Sequence, residues 1–404
     1  MEHNLLAFQW SSVLSVLLAI LILLVMITIH EFGHYLAGKI FHFKINEFSI
    51  GFGPALFKRK RKNSDELFSV RLIPLGGYCA FDGEDGLEEQ EEAQREAPAE
   101  PFEETAEAPA ERGDASKTDA HADAFTKKPP WQRIIVLIAG AFMNYALALV
   151  LILISTFAYG QTMVQVRGVK AEEEYVGYSL REGDVLLQIE GRNLYLTTDI
   201  AKSLNGKKQG DLVEIVVSRE GEGDQREEQT VSVMLRADVE IKNSTQVSAV
   251  WKALGIGTET REDGNVYYQL GNYLYRFGFF GSIGRSFVYS FKIAGSIFQV
   301  LGELLTGKLG ISAFGGPITT ITMTSQIASQ GFHSFLEIAS YIGVNLAVFN
   351  LLPIPALDGS KVVFTAIEWI RKKPISRKVE AVIHAVGFIL LLGFAILVDI
   401  LQFV

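Results

Sequence analysis

Cysteine is all but missing from this 404-residue chain, which holds Cys79 and no other. A single cysteine forms no internal disulfide, and it lacks the spacing of a Cys-based zinc site. No basic stripe with interleaved aromatics is present, so nothing points to nucleic-acid binding. Histidine is scarce as well, with seven residues, yet His30 and His34 fall within one short stretch. Apolar residues are plentiful, at 49% of the chain, and they gather into long runs. Such runs indicate membrane spans rather than one large soluble core. The formal net charge of −9 comes largely from one acidic segment, so it says little about partners.

From Ser12 to Ile29 there is no charge, and Leu, Ile and Val dominate. That is about the length needed to cross a hydrocarbon core of roughly 30 Å. A cleaved leader is the other reading of such a run. It is disfavoured here because a basic n-region and a small-x-small cleavage site are lacking. In residues 41–81, β-branched and aromatic residues broken by Gly and Pro predict short strands joined by turns. From Asp82 to Phe125, Glu, Ala, Asp and Pro prevail. Such a composition cannot bury enough surface to offset its chain entropy, so a disordered acidic insert is expected. A second span is expected from about Ile134 to Tyr159, preceded by Lys127, Lys128, Trp131 and Arg133. Val213–Ser218 and Thr230–Leu235 alternate like half-buried strands. Residues 238–280 carry no pattern that assigns them.

In residues 285–305, Phe287, Phe291, Ala294, Phe298, Leu301 and Leu305 share one helical face. Arg285, Lys292, Ser296, Gln299 and Glu303 share the other. That is an amphipathic helix suited to lie on a membrane rather than cross it. Two more spans are expected, from about Phe335 to Leu352 and from Val382 to Val404. The basic residues test this count. Lys58 to Lys62, Lys127, Lys128 and Arg133 lie between spans one and two, and Lys361, Arg371, Lys372, Lys373, Arg377 and Lys378 between spans three and four. Four spans with both termini outside place both clusters in the cytoplasm, as the positive-inside rule expects.

The chemistry begins at His30-Glu31-Phe32-Gly33-His34. Residues four apart on a helix share a face, so both imidazoles can bind one metal ion with Glu31 beside it as a base. Ionisable residues at the end of a span are costly, which makes them functional candidates. A catalytic zinc takes three protein ligands and keeps one open position. The third candidate is Asp358, in Asn350-Leu351-Leu352-Pro353-Ile354-Pro355-Ala356-Leu357-Asp358-Gly359. Spans one and three run in the same direction, so the two half-sites meet at the same depth. Pro353 and Pro355 would unwind backbone there, which is tolerated where it lines a wet cavity. Glu31 would take the proton of the attacking water. Asn345 and Asn350, near the end of span three, would hold an extended substrate or steady an oxyanion. Strands from residues 67–78, with Gly76 and Gly77, would pair with that substrate edge to edge.

These residues resemble the site-2 protease family of intramembrane zinc metalloproteases, in its bacterial regulator-of-sigma-E protease branch. The resemblance rests on His30-Glu31-Phe32-Gly33-His34, Gly140-x-x-x-Asn144, Asn345 through Gly359, Pro74-Leu75-Gly76-Gly77-Tyr78 and Gly315-Gly316-Pro317. It implies one Zn²⁺ per chain, held by His30, His34 and Asp358, with Glu31 catalytic and Asn345, Asn350, Gly76 and Gly77 binding substrate. It also implies that 161–237 forms a single PDZ-like domain, with Arg181 to Ile189 and Gly191 as its Gly-Asp-hydrophobic strand. The expected architecture is a polytopic α-helical membrane protein with four transmembrane helices. A membrane-associated β-region and one extracytoplasmic PDZ-like α+β domain complete it. Its segments are 1–40, 41–81, 82–126, 127–160, 161–237, 238–334, 335–360 and 361–404. The implied setting is a bacterial inner membrane. The implied partners are the bilayer, single-span substrates such as anti-sigma factors or signal-peptide remnants, and an upstream site-1 protease. The rivals are a catalytically silent PDZ-bearing scaffold or sensor and a metal transporter. A silent scaffold would be expected to lose Glu31 or a ligand, and a transporter often shows internal repeats; neither feature is present.

Overall fold

The computed structural model describes residues 2–61, 66–84, 125–170, 172, 175, 177–221, 225–261, 264–311 and 314–403. Most of the insert expected at 82–126 lies outside the described residues. In chain order the elements are α1 (Glu2–Ile40), β1 (Ile45–Lys60), β2 (Leu67–Phe81), α2 (Pro130–Ala158), β3 (Gln161–Val166), β4 (Val185–Ile189), β5 (Arg192–Asn193), α3 (Thr197–Leu204), β6 (Leu212–Glu220) and β7 (Arg226–Met234). Then follow α4 (Ser248–Ala253), β8 (Thr258–Thr260), β9 (Val266–Tyr268), β10 (Leu270–Tyr275), α5 (Phe279–Leu305), α6 (Pro317–Ala328), α7 (Phe332–Leu351), α8 (Asp358–Arg371) and α9 (Arg377–Phe403). The chain divides into two compact units, Met1–Ala148 with Phe314–Val404, and Leu149–Ala313.

In the first unit, α1 has no Gly or Pro before Gly33. It therefore runs unbroken through the expected span and carries the histidine pair in helical register. Pro130 and Pro317 open α2 and α6, where a missing N–H costs nothing. Pro353 and Pro355 stop α7 at Leu351, because proline disfavours helical geometry in the residue before it. Lys372, at φ 54°, closes α8 in the left-handed conformation typical of a helix end.

The β-region is two long bent strands, not the short ones expected. Glu47 pairs with both Ala80 and Leu67, Ser49 with both Tyr78 and Ser69, and Ile50 with both Gly77 and Val70. Phe57 to Lys60 pair with Val70 back to Leu67. The first half of β1 thus lies between the two halves of β2, and residues 77–81 form an outer edge. The bend in β1 falls at Gly51 and Gly53, at φ 90° and 82°, where glycine is strain-free. Arg71 bridges the bend, bonding Glu47, Gly53 O and the Tyr78 hydroxyl. Burial pushes the Glu47 carboxyl up. Hydrogen bonds from Ser69, Arg71 and Tyr78 outweigh that and hold it below the ordinary glutamate range.

In the second unit, one sheet has the order β10-β3-β4-β6-β7, with β5 paired to β4. Its core includes Val185, Leu186, Ile189, Ile200, Leu204, Ile215 and Leu254. The buried Asp184 accepts two 2.7 Å bonds from Arg219 and the Arg181 N–H, which fixes the turn into β4. The residues left unassigned by sequence supply α4 and β10, and β10 pairs with β3, so the sheet continues past residue 237.

Five described helices are long and apolar enough to cross a membrane: α1, α2, α5, α7 and α9. That is one more than the four expected, and α5 is the addition. Its faces are as expected, but their use is informative. The polar face turns towards the other elements of its own unit: Arg285 bonds Gln161 of β3 and Leu194 O, Lys292 bonds Asp199 of α3, and Glu303 bonds Ser244. Phe291, Phe298 and Leu305 are exposed on the opposite side.

Candidate metal centre

Helical spacing puts His30 and His34 one turn apart on α1, both buried. Their Nε2 atoms are 3.2 Å apart. Asp358, in the first turn of α8, brings Oδ2 to 2.9 Å from His30 Nε2 and 3.3 Å from His34 Nε2. His34 Nδ1 is 2.8 Å from the Val136 carbonyl, so it donates there and leaves Nε2 as a lone pair facing the centre. Three acceptors therefore converge on one point, which a cation would stabilise. The spacing is close to the roughly 3.4 Å edge of a tetrahedron whose ligands lie about 2.1 Å from zinc. The nitrogen and carboxylate donor set suits zinc, and the group is close enough to hold a metal ion.

Close packing around the histidines depends on glycine. A Cβ on Gly140 of α2 would stand 2.8 Å from His30 Cε1 and would overlap His34. A Cβ on Gly77 would stand 2.8 Å from Ser49 O and 3.2 Å from Glu31 Cγ. The outer edge of β2 thus lies against Glu31. A cavity of about 300 Å³ opens at this place, and His30, Glu31, Gly76, Gly77, Asn350 and Asp358 line it.

The two asparagines expected to bind substrate part company. The Asn350 amide lies 3.3 Å from His30 Nδ1, inside the site. The Asn345 amide donates to Tyr341 O on its own helix, and Asn345 does not line the cavity. Cys79 takes no part as a ligand. Burial, reinforced by the charges of Glu31 and Glu84, pushes its thiol up, away from the thiolate a metal would need.

Three contributors carried no role in the sequence reading. Gly140 was quoted only as a motif position. Asn144, one turn later, is fully buried, lines the cavity and has no partner for either amide atom among the described residues. His384, in α9, accepts the Ala356 N–H at 3.1 Å, two residues before Asp358. A lone histidine in an apolar run is a signal that could have marked it.

The match to known proteins is extensive. The family model described as peptidase family M50 matches residues 18–394. The zinc metalloprotease RasP of Bacillus licheniformis is 27% identical, with 94% of this chain and 96% of that protein covered. RasP of Geobacillus kaustophilus is 26% identical, with 90% of this chain and 91% of that protein covered. A Clostridium perfringens protein is 28% identical over 386 residues, with 95% and 97% covered. A donor set suited to zinc, apolar helices around it and a family match over nearly the whole length agree: the chain belongs to peptidase family M50, the site-2 protease family of zinc metalloproteases.

Proposed function

We propose that the protein cuts peptide bonds in the membrane segments of single-span proteins. The observation that carries this reading is the placement of Glu31. It lines one cavity with His30 and Asp358, two members of the His30, His34 and Asp358 cluster, and lies against Gly77 at the outer edge of β2. Zinc held by those three residues would supply Lewis-acid polarisation of the scissile carbonyl and a more acidic water. Glu31 takes the proton of the attacking water and returns it to the leaving amine. A helical substrate hides its carbonyls in its own hydrogen bonds, so it must unwind before it is cut. Among the described residues, 77–81 pair on one side only, with β1, and offer an edge on which such a segment can lie as an added strand. Asn350, beside His30, can hold the substrate amide or the oxyanion.

The membrane arrangement is α1, α2, α7 and α9 as four spans, with α5 on the membrane surface. The bonds from Arg285, Lys292 and Glu303 support this, because they tie α5 to the polar parts of its own unit along most of its length. A helix held in that way by a polar domain is poorly placed to cross a bilayer. In this arrangement both termini and the sheet unit are extracytoplasmic, and the β1–β2 region is cytoplasmic, in a bacterial inner membrane. The sheet around β3, β4, β6 and β7 is read as PDZ-like, a peptide-receiving domain that screens substrates. Anti-sigma factors already trimmed by a site-1 protease, or signal-peptide remnants, suit such a screen.

The test is paired cleavage in lipid. Wild type and Glu31→Gln are each given a truncated single-span substrate, with and without a zinc chelator. Cutting by wild type alone, lost with chelator, is expected, and zinc should stay bound in Glu31→Gln. Cutting by the variant would remove Glu31 as the base.

A further inference from the structure

Asn144 is fully buried, and among the described residues neither its Oδ1 nor its Nδ2 has a hydrogen-bond partner. Such a group is costly, because its bonds to water are lost and not replaced. Its position is nevertheless enforced. One turn before it, Gly140 seats α2 against His30 and His34. On its other side, a Cβ on Gly343 of α7 would already be 3.4 Å from the Asn144 carbonyl. With neighbours this close on both sides, α2 has little room to shift and give the amide a partner. Asn144 is among the residues that line the cavity shared by His30, Glu31, Gly76 and Gly77.

A carboxamide offers two donors and one acceptor. That complements a peptide group, which has one N–H and one C=O. We infer that Asn144 is a substrate-binding residue whose amide hydrogen-bonds the main chain of an extended segment in this cavity, opposite the β2 edge. The inference rests on the protease reading of the same site. It makes recognition independent of side chains: an unwound backbone satisfies Asn144, while a helix, with its own peptide groups already bonded, does not. The ligand class is thus any peptide able to unwind.

The experiment uses the full zinc-loaded chain in lipid nanodiscs and compares wild type with Asn144→Leu, close in size and without polar atoms. An amide that awaits substrate gives an unusual pair of results. The melting temperature should stay level or rise, because an unsatisfied buried group has been removed. Zinc should remain at one per chain, and kcat/KM should fall at least tenfold. A substrate series N-methylated at one peptide bond at a time adds a second readout. Wild type should be sensitive at one bond where Asn144→Leu is not. A lower melting temperature in Asn144→Leu would overturn the inference, because it would mean that Asn144 stabilises the protein itself. Identical N-methyl profiles would also overturn it. If wild type cuts nothing, the protease reading fails separately, and the melting result still decides on Asn144.

Discussion

His384 Nδ1 accepts the backbone N–H of Ala356 across 3.1 Å. One helical turn along α9, Gly387 lies against Pro355 so closely that a Cβ would collide with it. The last helix therefore grips the two residues that lead into Leu357 and Asp358. Ala356 has φ 76°, a left-handed conformation that costs a non-glycine residue about 1–2 kcal/mol and needs outside support. His384 supplies that support, so Asp358 is positioned by a helix that contributes no ligand.

His384→Ala should accordingly weaken zinc binding by about tenfold or more, in the range typical for residues that orient metal ligands. His384→Asn, which keeps an acceptor near the same place, should restore most of it. Titration against a competing chelator reads the affinities. An Ala variant that binds zinc as wild type does would show that the loop holds its shape unaided.

Asp358→Ala removes one of the three candidate ligands outright. Zinc affinity should fall by about 100-fold or more, beyond the usual loss from an orienting residue. Zinc content after dialysis provides the check. Full retention would take Asp358 out of the site, despite its 2.9 Å approach to His30.

Gly140→Ala adds one methyl where His30 and His34 already press on α2. Overpacking of this kind costs about 1–3 kcal/mol, and the histidines must shift to admit it. Lower thermal stability together with reduced zinc content is expected. A variant unchanged in both would mean that the helices part without disturbing the ligands.

The acidic insert should be removable, provided that its ends are kept. Phe125 donates its N–H to Asp82 O at 2.8 Å, and its ring packs on Phe43 and Phe81. Replacing residues 85–124 with a short Gly-Ser bridge should leave zinc binding and cleavage in place. Removing 82–126 entirely should destabilise the protein by about 3–5 kcal/mol, the usual result of losing a buried phenylalanine. Equal stability of the two deletions, read by thermal melting, would refute the role given to Phe125. Composition alone placed both ends inside the insert. Phe125 is an isolated aromatic there, and only its partners, Phe43 between α1 and β1 and Phe81 in β2, show that it belongs to the core.

Most of the metal centre was legible in the sequence. His30 and His34 are local partners, since helical spacing alone aligns residues four apart. Asp358 was reachable because two prolines and a run of apolar residues set its depth. Asn345 and Asn350 show where that reasoning stops. Both sit on α7 within two turns, yet one amide reaches His30 and the other bonds its own helix. Which way each side chain faces depends on how α7 packs.

The sequence by itself determined the zinc chemistry, the family and the apolar helices, because each is written in short-range pattern: spacing, hydropathy and proline breaks. The tertiary structure decided what meets across the chain. It put the β2 edge against Glu31, left Asn144 at the cavity with no partner among the described residues and set His384 under Ala356. It also turned the polar face of α5 towards its own unit, where Lys292 bonds Asp199 of α3. Those pairings join residues far apart in sequence, and no local periodicity encodes them; they exist only once the helices and strands have packed.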